Sequence, residues 1–158
     1  QKTGIETMRK NLFLTALILM QSIATGCGGD GLTRVRVEGM STSNGQPLAN
    51  ATVQFIPEGS TKGEGRIGRS SKDGAFQLTG SRDGASGVVP GEYKVRVSLM
   101  VDSKGLPLPP DARDAEYPGS YDAIPSQYSS PSSSLKVKVP ESGGKVTVDI
   151  PTPIGTKK

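Results

Sequence analysis

The segment Tyr93-Lys94-Val95-Arg96-Val97-Ser98-Leu99 alternates apolar and polar residues without a break, and this period of two recurs through most of the chain. Successive side chains of an extended strand point to opposite faces, so the alternation specifies a strand with one face buried and one face wet. Val35 and Val37 alternate with Arg34 and Arg36. Val53 and Phe55 alternate with Thr52, Gln54 and Ile56. A short segment runs from Ile67 to Ser71, and Phe76 and Leu78 flank Gln77. Leu135, Val137 and Val139 alternate with Lys136 and Lys138, and Val146, Val148 and Ile150 with Thr147 and Asp149. Seven short strands of this kind, with no helical period after the first thirty residues, predict an all-β, mostly antiparallel, Ig-like β-sandwich over residues 33–150. The expected inward set is Val37, Val53, Phe55, Phe76, Leu78, Tyr93, Val95, Val97, Val137 and Val148.

The punctuation between strands agrees. Asn44-Gly45, Asp73-Gly74 and Gly143-Gly144 tolerate the positive φ that tight hairpin turns require, and Pro90-Gly91 reads as a turn feeding the long strand. Residues 57–66 are rich in Gly and polar side chains. Residues 102–133 form a long connection with five prolines by position 125 (Pro107, Pro109, Pro110, Pro118 and Pro125). A connection of that length is expected to be functional or disordered. Residues 151–158 are read as a C-terminal tail.

Targeting segments imitate structure and are read separately. Met8-Arg9-Lys10 is a basic start, with Met8 read as the true initiator. An apolar run over residues 12–20 follows, shorter than the roughly 20 residues of a permanent membrane span. Ala24-Thr25-Gly26 are small, and Cys27 comes directly after. Residues 1–26 are thus expected to be a signal peptide, residues 27–32 a flexible tether, and the chain exported. Cleavage there leaves 16 basic and 14 acidic residues, too even a balance to suggest nucleic acid, and no nucleic-acid-binding motif is present.

Ile23-Ala24-Thr25-Gly26-Cys27 resembles the bacterial lipobox, which implies acylation of Cys27 and a lipid anchor in the cell envelope. Gly28 after the Cys, in place of an acidic residue, implies the outer membrane. The lipobox pattern has Leu where this chain has Ala24, and Ala24-Thr25-Gly26 also suits an ordinary signal peptidase, which would leave a secreted chain with a free thiol. From Val37-Glu38-Gly39 through Gly45-Gln46-Pro47-Leu48 to Phe55, then Ser71–Leu78 in the pattern Lys72-Asp73-Gly74-Ala75-Phe76 and finally Pro90-Gly91-Glu92-Tyr93-Lys94-Val95, the ordered series resembles carboxypeptidase-regulatory-like domains. Ile124-Pro125-Ser126-Gln127-Tyr128 with Ser134-Leu135 is similar to small bacterial lipoproteins built on them. The resemblance implies a transthyretin-like fold.

The chain has no His and a single Cys. Ser-His-Asp and Cys-His couples, His-ligated zinc and an intrachain disulfide are therefore excluded. The hydroxyisourate hydrolases of transthyretin-like fold use histidines, so the resemblance does not extend to that activity. No cofactor is expected. Arg34/Arg36, Lys94/Arg96 and Lys136/Lys138 are basic pairs on polar strand faces. If neighbouring, they would make a stripe for acidic envelope polysaccharide; otherwise they serve solubility and edge protection. Two pairs directly opposite would repel, so some separation is expected. Asp111, Asp114, Glu116 and Asp122 gather in the connection, where they could serve calcium or glycoside hydrolysis, or simply be solvated around Arg113. Tyr117, Tyr121 and Tyr128 are expected to pin the connection to the sandwich. The sum is a lipid-anchored envelope binding or structural module with an envelope polysaccharide or protein as partner and no catalysis. The rivals are a carboxylate-dependent carbohydrate-active enzyme and a small-ligand carrier.

Overall fold

The structure is a computed structural model that describes residues 31–80, 86–152 and 154. Its described residues are all-β: β1 (Val37–Ser43), β2 (Gln46–Pro47), β3 (Thr52–Pro57), β4 (Arg66–Arg69), β5 (Ala75–Phe76), β6 (Thr79–Gly80), β7 (Gly91–Ser98), β8 (Met100–Val101), β9 (Tyr121–Asp122), β10 (Leu135–Val139) and β11 (Gly144–Ile150). Two larger sheets enclose one core. One has the order β10-β7-β3-β4-β6; the other places β1 between β11 and the short strands β2 and β5. This is the expected sandwich-like arrangement, but with more and shorter strands than the seven expected. The excess comes from two-residue strands, which carry too little alternation to be read.

Every pairing between named strands is antiparallel except one. β1 lies parallel to β11 from Val37 opposite Gly144 to Ser43 opposite Ile150. The chain continues past β11 along the same core: Ser43 Oγ donates to the Thr152 carbonyl at 3.0 Å, and Ile154 packs against the core. Two residues of the expected tail over 151–158, Thr152 and Ile154, thus meet the sandwich.

Alternation places the core as expected. Val37, Val53, Phe55, Phe76, Leu78, Tyr93, Val95, Val97 and Val148 are buried, while Val137 is half-buried because β10 is an edge strand. The sheets meet where Phe55 and Phe76 pack edge to face, 6.3 Å between centroids, a geometry that suits the ring quadrupoles. Phe76 stands directly opposite Gly39 in the ladder. A Cβ on Gly39 would lie 2.2 Å from the Phe76 ring. The glycine inside β1 is thus the seat on which the aromatic ring lies, the close approach that a strand-interior Gly signals.

Three expectations change. Arg34 and Arg36 are outside the strand they were expected to start; only Val35 makes a bridge, to Val88. Of the three turns, Asn44-Gly45 is a two-residue hairpin, with φ of 52° and 76°, between Ser43 and its partner Gln46. Asp73-Gly74 and Gly143-Gly144 instead carry the chain from one sheet to the other, β4 to β5 and β10 to β11. Positive φ marks a tight reversal and does not say which sheet receives the chain. Finally, residues 102–133 are not structureless: they contain β9, a 3-10 turn at Asp114–Glu116 and one helical turn, α1 (Ser126–Ser129).

Candidate functional site

The polar face of the larger sheet carries two of the three basic pairs. Register sets Lys136 directly opposite Lys94 and Lys138 opposite Glu92. The expected separation of the pairs is therefore wrong, and Glu58 supplies the reason. β3 ends at Pro57, and the turn that follows is tied to β7: Glu58 N donates to the Glu92 carbonyl at 3.0 Å, and Glu92 N donates to Thr61 Oγ1 at 2.8 Å. This holds the Glu58 carboxylate between the two ammonium groups, 2.9 Å from Lys136 Nζ and 3.9 Å from Lys94 Nζ. The hydrogen bond from Lys136 lowers the Glu58 pKa below the ordinary carboxylate value. The same contact raises that of Lys136. Both groups lie at the surface, where such a pair contributes little to stability. Its effect is on charge pattern: with Glu58 and Glu92 interleaved, the face is mixed in sign.

Arg96 is committed elsewhere. Its Nε donates to the Ser129 carbonyl at 2.7 Å, satisfying one of the orphan acceptors at the C-terminal end of α1. Arg34 and Arg36 line a separate groove of about 420 Å³ beside Gln77, Thr79 and Val88. The six basic residues therefore do not form one stripe.

A charged group that the sequence reading missed lies inside. Arg66 is 1 % exposed. It faces the core because it stands opposite Phe55 in the ladder, while its neighbour Ile67 faces outward. Glu64 pairs with Arg66 Nη1 at 3.7 Å. Tyr93, whose hydroxyl donates to the Val89 carbonyl at 2.7 Å, has its pKa raised by burial, against the opposing pull of the Arg66 and Arg34 charges. The sequence marks only Ile67 as the start of this short segment, and the pairing with β3 is what gives Arg66 the inward phase. A buried, paired arginine of this kind is weak evidence for added stability.

The acidic side chains of the connection that are described have separate surroundings. Asp122 Oδ1 accepts from Leu99 N and from Ile124 N, each at 3.0 Å, so its carboxylate fastens the end of the connection to the strand that leads into it. Asp111 and Glu116 are exposed. Arg113 N donates to Glu116 Oε2 at 3.5 Å, and the backbone of Asp114 starts the 3-10 turn. Among the described residues no group of three or more acidic, His or Cys side chains is placed to hold a metal ion.

What the connection does have is anchorage. Tyr128 is buried and Tyr121 packs against the core, while Tyr117 is half-buried. Asp102 Oδ1 accepts from Lys104 N and Leu106 N at 2.8 and 2.9 Å, closing a tight turn. Leu108 is buried beyond it, and Arg69 Nη2 donates to the Leu108 carbonyl at 2.8 Å. Between these fixed points Leu106, Pro107, Pro109 and Pro110 are exposed. Cys27, the residue expected to carry the lipid, lies outside the described residues. Compared with protein-family models, with curated proteins and with solved structures, the chain matches none.

Proposed function

We propose that the chain is an exported, lipid-anchored module of the bacterial cell envelope that binds or scaffolds a partner without catalysis, and that its contact surface is the folded connection. The observation that carries this reading is the combination in residues 102–133 of several polar anchors with a row of exposed apolar residues. Recognition is commonly built on loops that a rigid scaffold positions. The strand faces fit the role less well, since Glu58 and Glu92 break up their positive charge.

The order of basic start, apolar run, small residues and Cys27 supports export and anchoring. The likeness to carboxypeptidase-regulatory-like domains supports a transthyretin-like module in small lipoproteins. The chain's lack of His removes the usual general base near neutral pH. With Cys27 committed to the anchor, no thiol remains as a nucleophile.

The test uses the full chain in its native envelope, with a photo-cross-linker at position 106 in the connection or at position 138 on the sheet face. Protein adducts from position 106, absent when residues 103–120 are replaced by a Gly-Ser linker, support the reading. Adducts only from position 138 overturn the choice of surface. Turnover of an envelope glycan by the purified chain, abolished by changing one of Asp111, Asp114, Glu116 or Asp122, overturns the absence of catalysis. An intact mass showing an unacylated Cys27 removes the anchor.

A further inference from the structure

We infer that Leu106-Pro107-Leu108-Pro109-Pro110 is a preformed polyproline-type ligand, shaped for a partner protein that offers an aromatic-lined groove. This rests on the connection being the contact surface and names the kind of partner it meets.

The conformation follows from the residues. Each proline fixes its own φ near about −65°. Each residue that precedes a proline, here Leu106, Leu108 and Pro109, is pushed out of the helical region into extended backbone. From Leu106 to Pro110 the chain is thereby biased toward the left-handed polyproline helix with three residues per turn. Burial within the five residues fits that period. Leu108 turns inward, only 7 % exposed. The other two columns face solvent: Leu106 with Pro109, and Pro107 with Pro110, with Leu106 at 61 % exposure. A groove that reads such a helix takes up two adjacent columns and leaves the third turned away. In this chain the third column is the one already used for attachment.

The ridge is also held still. Leu108 N donates to the Met100 carbonyl at 2.9 Å, and Asp102 N to the Leu106 carbonyl at 2.8 Å. Arg69 grips the Leu108 carbonyl, and Ala112 N closes a turn on the Pro109 carbonyl at 3.2 Å. Conformational freedom that would otherwise be lost on binding is therefore already given up.

The other occupants fit less well. Strand addition needs outward N–H groups, and the residue that faces away from β8 is Pro107, opposite Val101, which has none. Among the described residues a second copy of this chain offers little open aromatic surface: the chain contains no Trp, Tyr93 and Tyr128 are buried, and Tyr117 and Tyr121 are half-buried within the connection itself. A lipid surface asks for more hydrocarbon than one leucine and three proline rings, or for a polybasic rim. The exposed charges flanking the ridge are mixed: Lys104, Asp111, Arg113 and Glu116. Lys104, next to the first column, gives the groove an acidic requirement at that end.

The experiment titrates the isotopically labelled full chain with an SH3-type domain that selects ligands of the form basic-x-x-Pro-x-x-Pro, following the amide signals of residues 100–112 by NMR. Saturable shifts confined to the ridge are expected, with affinity falling at least about tenfold in the pair Pro107→Ala and Pro110→Ala. Leu106→Glu, at an exposed position, should give a similar loss with an unchanged spectrum elsewhere, which separates lost contact from lost fold. No shift at millimolar domain, or shifts indifferent to these changes, overturns the inference. So does predominant cross-linking from position 106 to lipid in vesicles of phosphatidylethanolamine and phosphatidylglycerol. If replacing residues 103–120 abolishes envelope adducts while the proline variants leave them intact, the connection remains the contact surface and only the ridge is wrong.

Discussion

The space between the two sheets and the connection from Asp102 to Ser133 are ordered by different means. Between the sheets, order comes from continuous apolar contact: Phe55 touches Phe76 across the gap and Tyr93 along its own sheet, at 5.6 Å. Each side chain there is held by many neighbours, and removing one leaves a void that the others fill only in part. In the connection, order comes from a few directed bonds: the Asp122 carboxylate on Leu99 and Ile124, Arg96 on Ser129, Arg69 on Leu108, and the Asp102 turn. Buried apolar anchors are sparse there, chiefly Leu108 near one end and Ala123, Ile124 and Tyr128 near the other. A surface can therefore be presented rigidly without a core of its own, provided each anchor ends on a strand that is already fixed.

The difference predicts how each region fails. Phe55→Ala should cost about 3–5 kcal/mol by transfer and cavity terms, read as a loss of global stability in urea with cooperativity unchanged. Gly39→Ala tests the same core from the opposite direction. It forces a methyl into the Phe76 ring and should cost about 1–3 kcal/mol. In a Phe76→Leu background the added penalty should shrink, and a double-mutant cycle measures the coupling. Equal penalties in both backgrounds would break the account of Gly39 as the seat for the ring.

Asp122→Ala should act locally. It leaves two backbone N–H groups without their acceptor, at about 1–3 kcal/mol. Hydrogen exchange should rise over residues 99–128 while amides of β3 and β7 stay protected. Uniform loss of protection would show that the connection belongs to the core's cooperative unit after all. The smallest effect is expected at the Glu58 pair. Its folded pKa is below the ordinary carboxylate value, so the pair's contribution is present at neutral pH and is lost as pH falls through that folded value. Lys136→Gln should return the Glu58 titration toward the ordinary value by NMR, with the melting temperature at neutral pH nearly unchanged.

The two regions were also unequally readable. Strict alternation around Val53, Val95 and Val97 writes one buried face directly into the sequence, and Asn44-Gly45 writes its own hairpin. Arg66 escapes because its phase is set by pairing with β3, a contact between residues distant in sequence. Gly39 is legible as a special position but not as the partner of Phe76. In the connection the prolines announce extended backbone, whereas Asp122 looks like any loop carboxylate until the amides it binds are known. Arg34 and Arg36 fall outside the strands, and the grouping of the other four cations depended on where Glu58 and Ser129 came to lie.

The parallel pairing of β1 with β11 has a consequence in time. Thr42 meets Asp149 from 107 residues away, so the second strand of that ladder is among the last parts of the domain to be delivered, whether from a ribosome or through a translocation pore. Until then β1 has only the short strands β2 and β5 to lean on, and its inward residues Val37, Ser41 and Ser43 lack their neighbours. Non-local closure of this kind slows folding. For the exported chain proposed above, that delay would leave the β11 side of β1 unpaired until the last strand of the domain arrives and completes the smaller sheet.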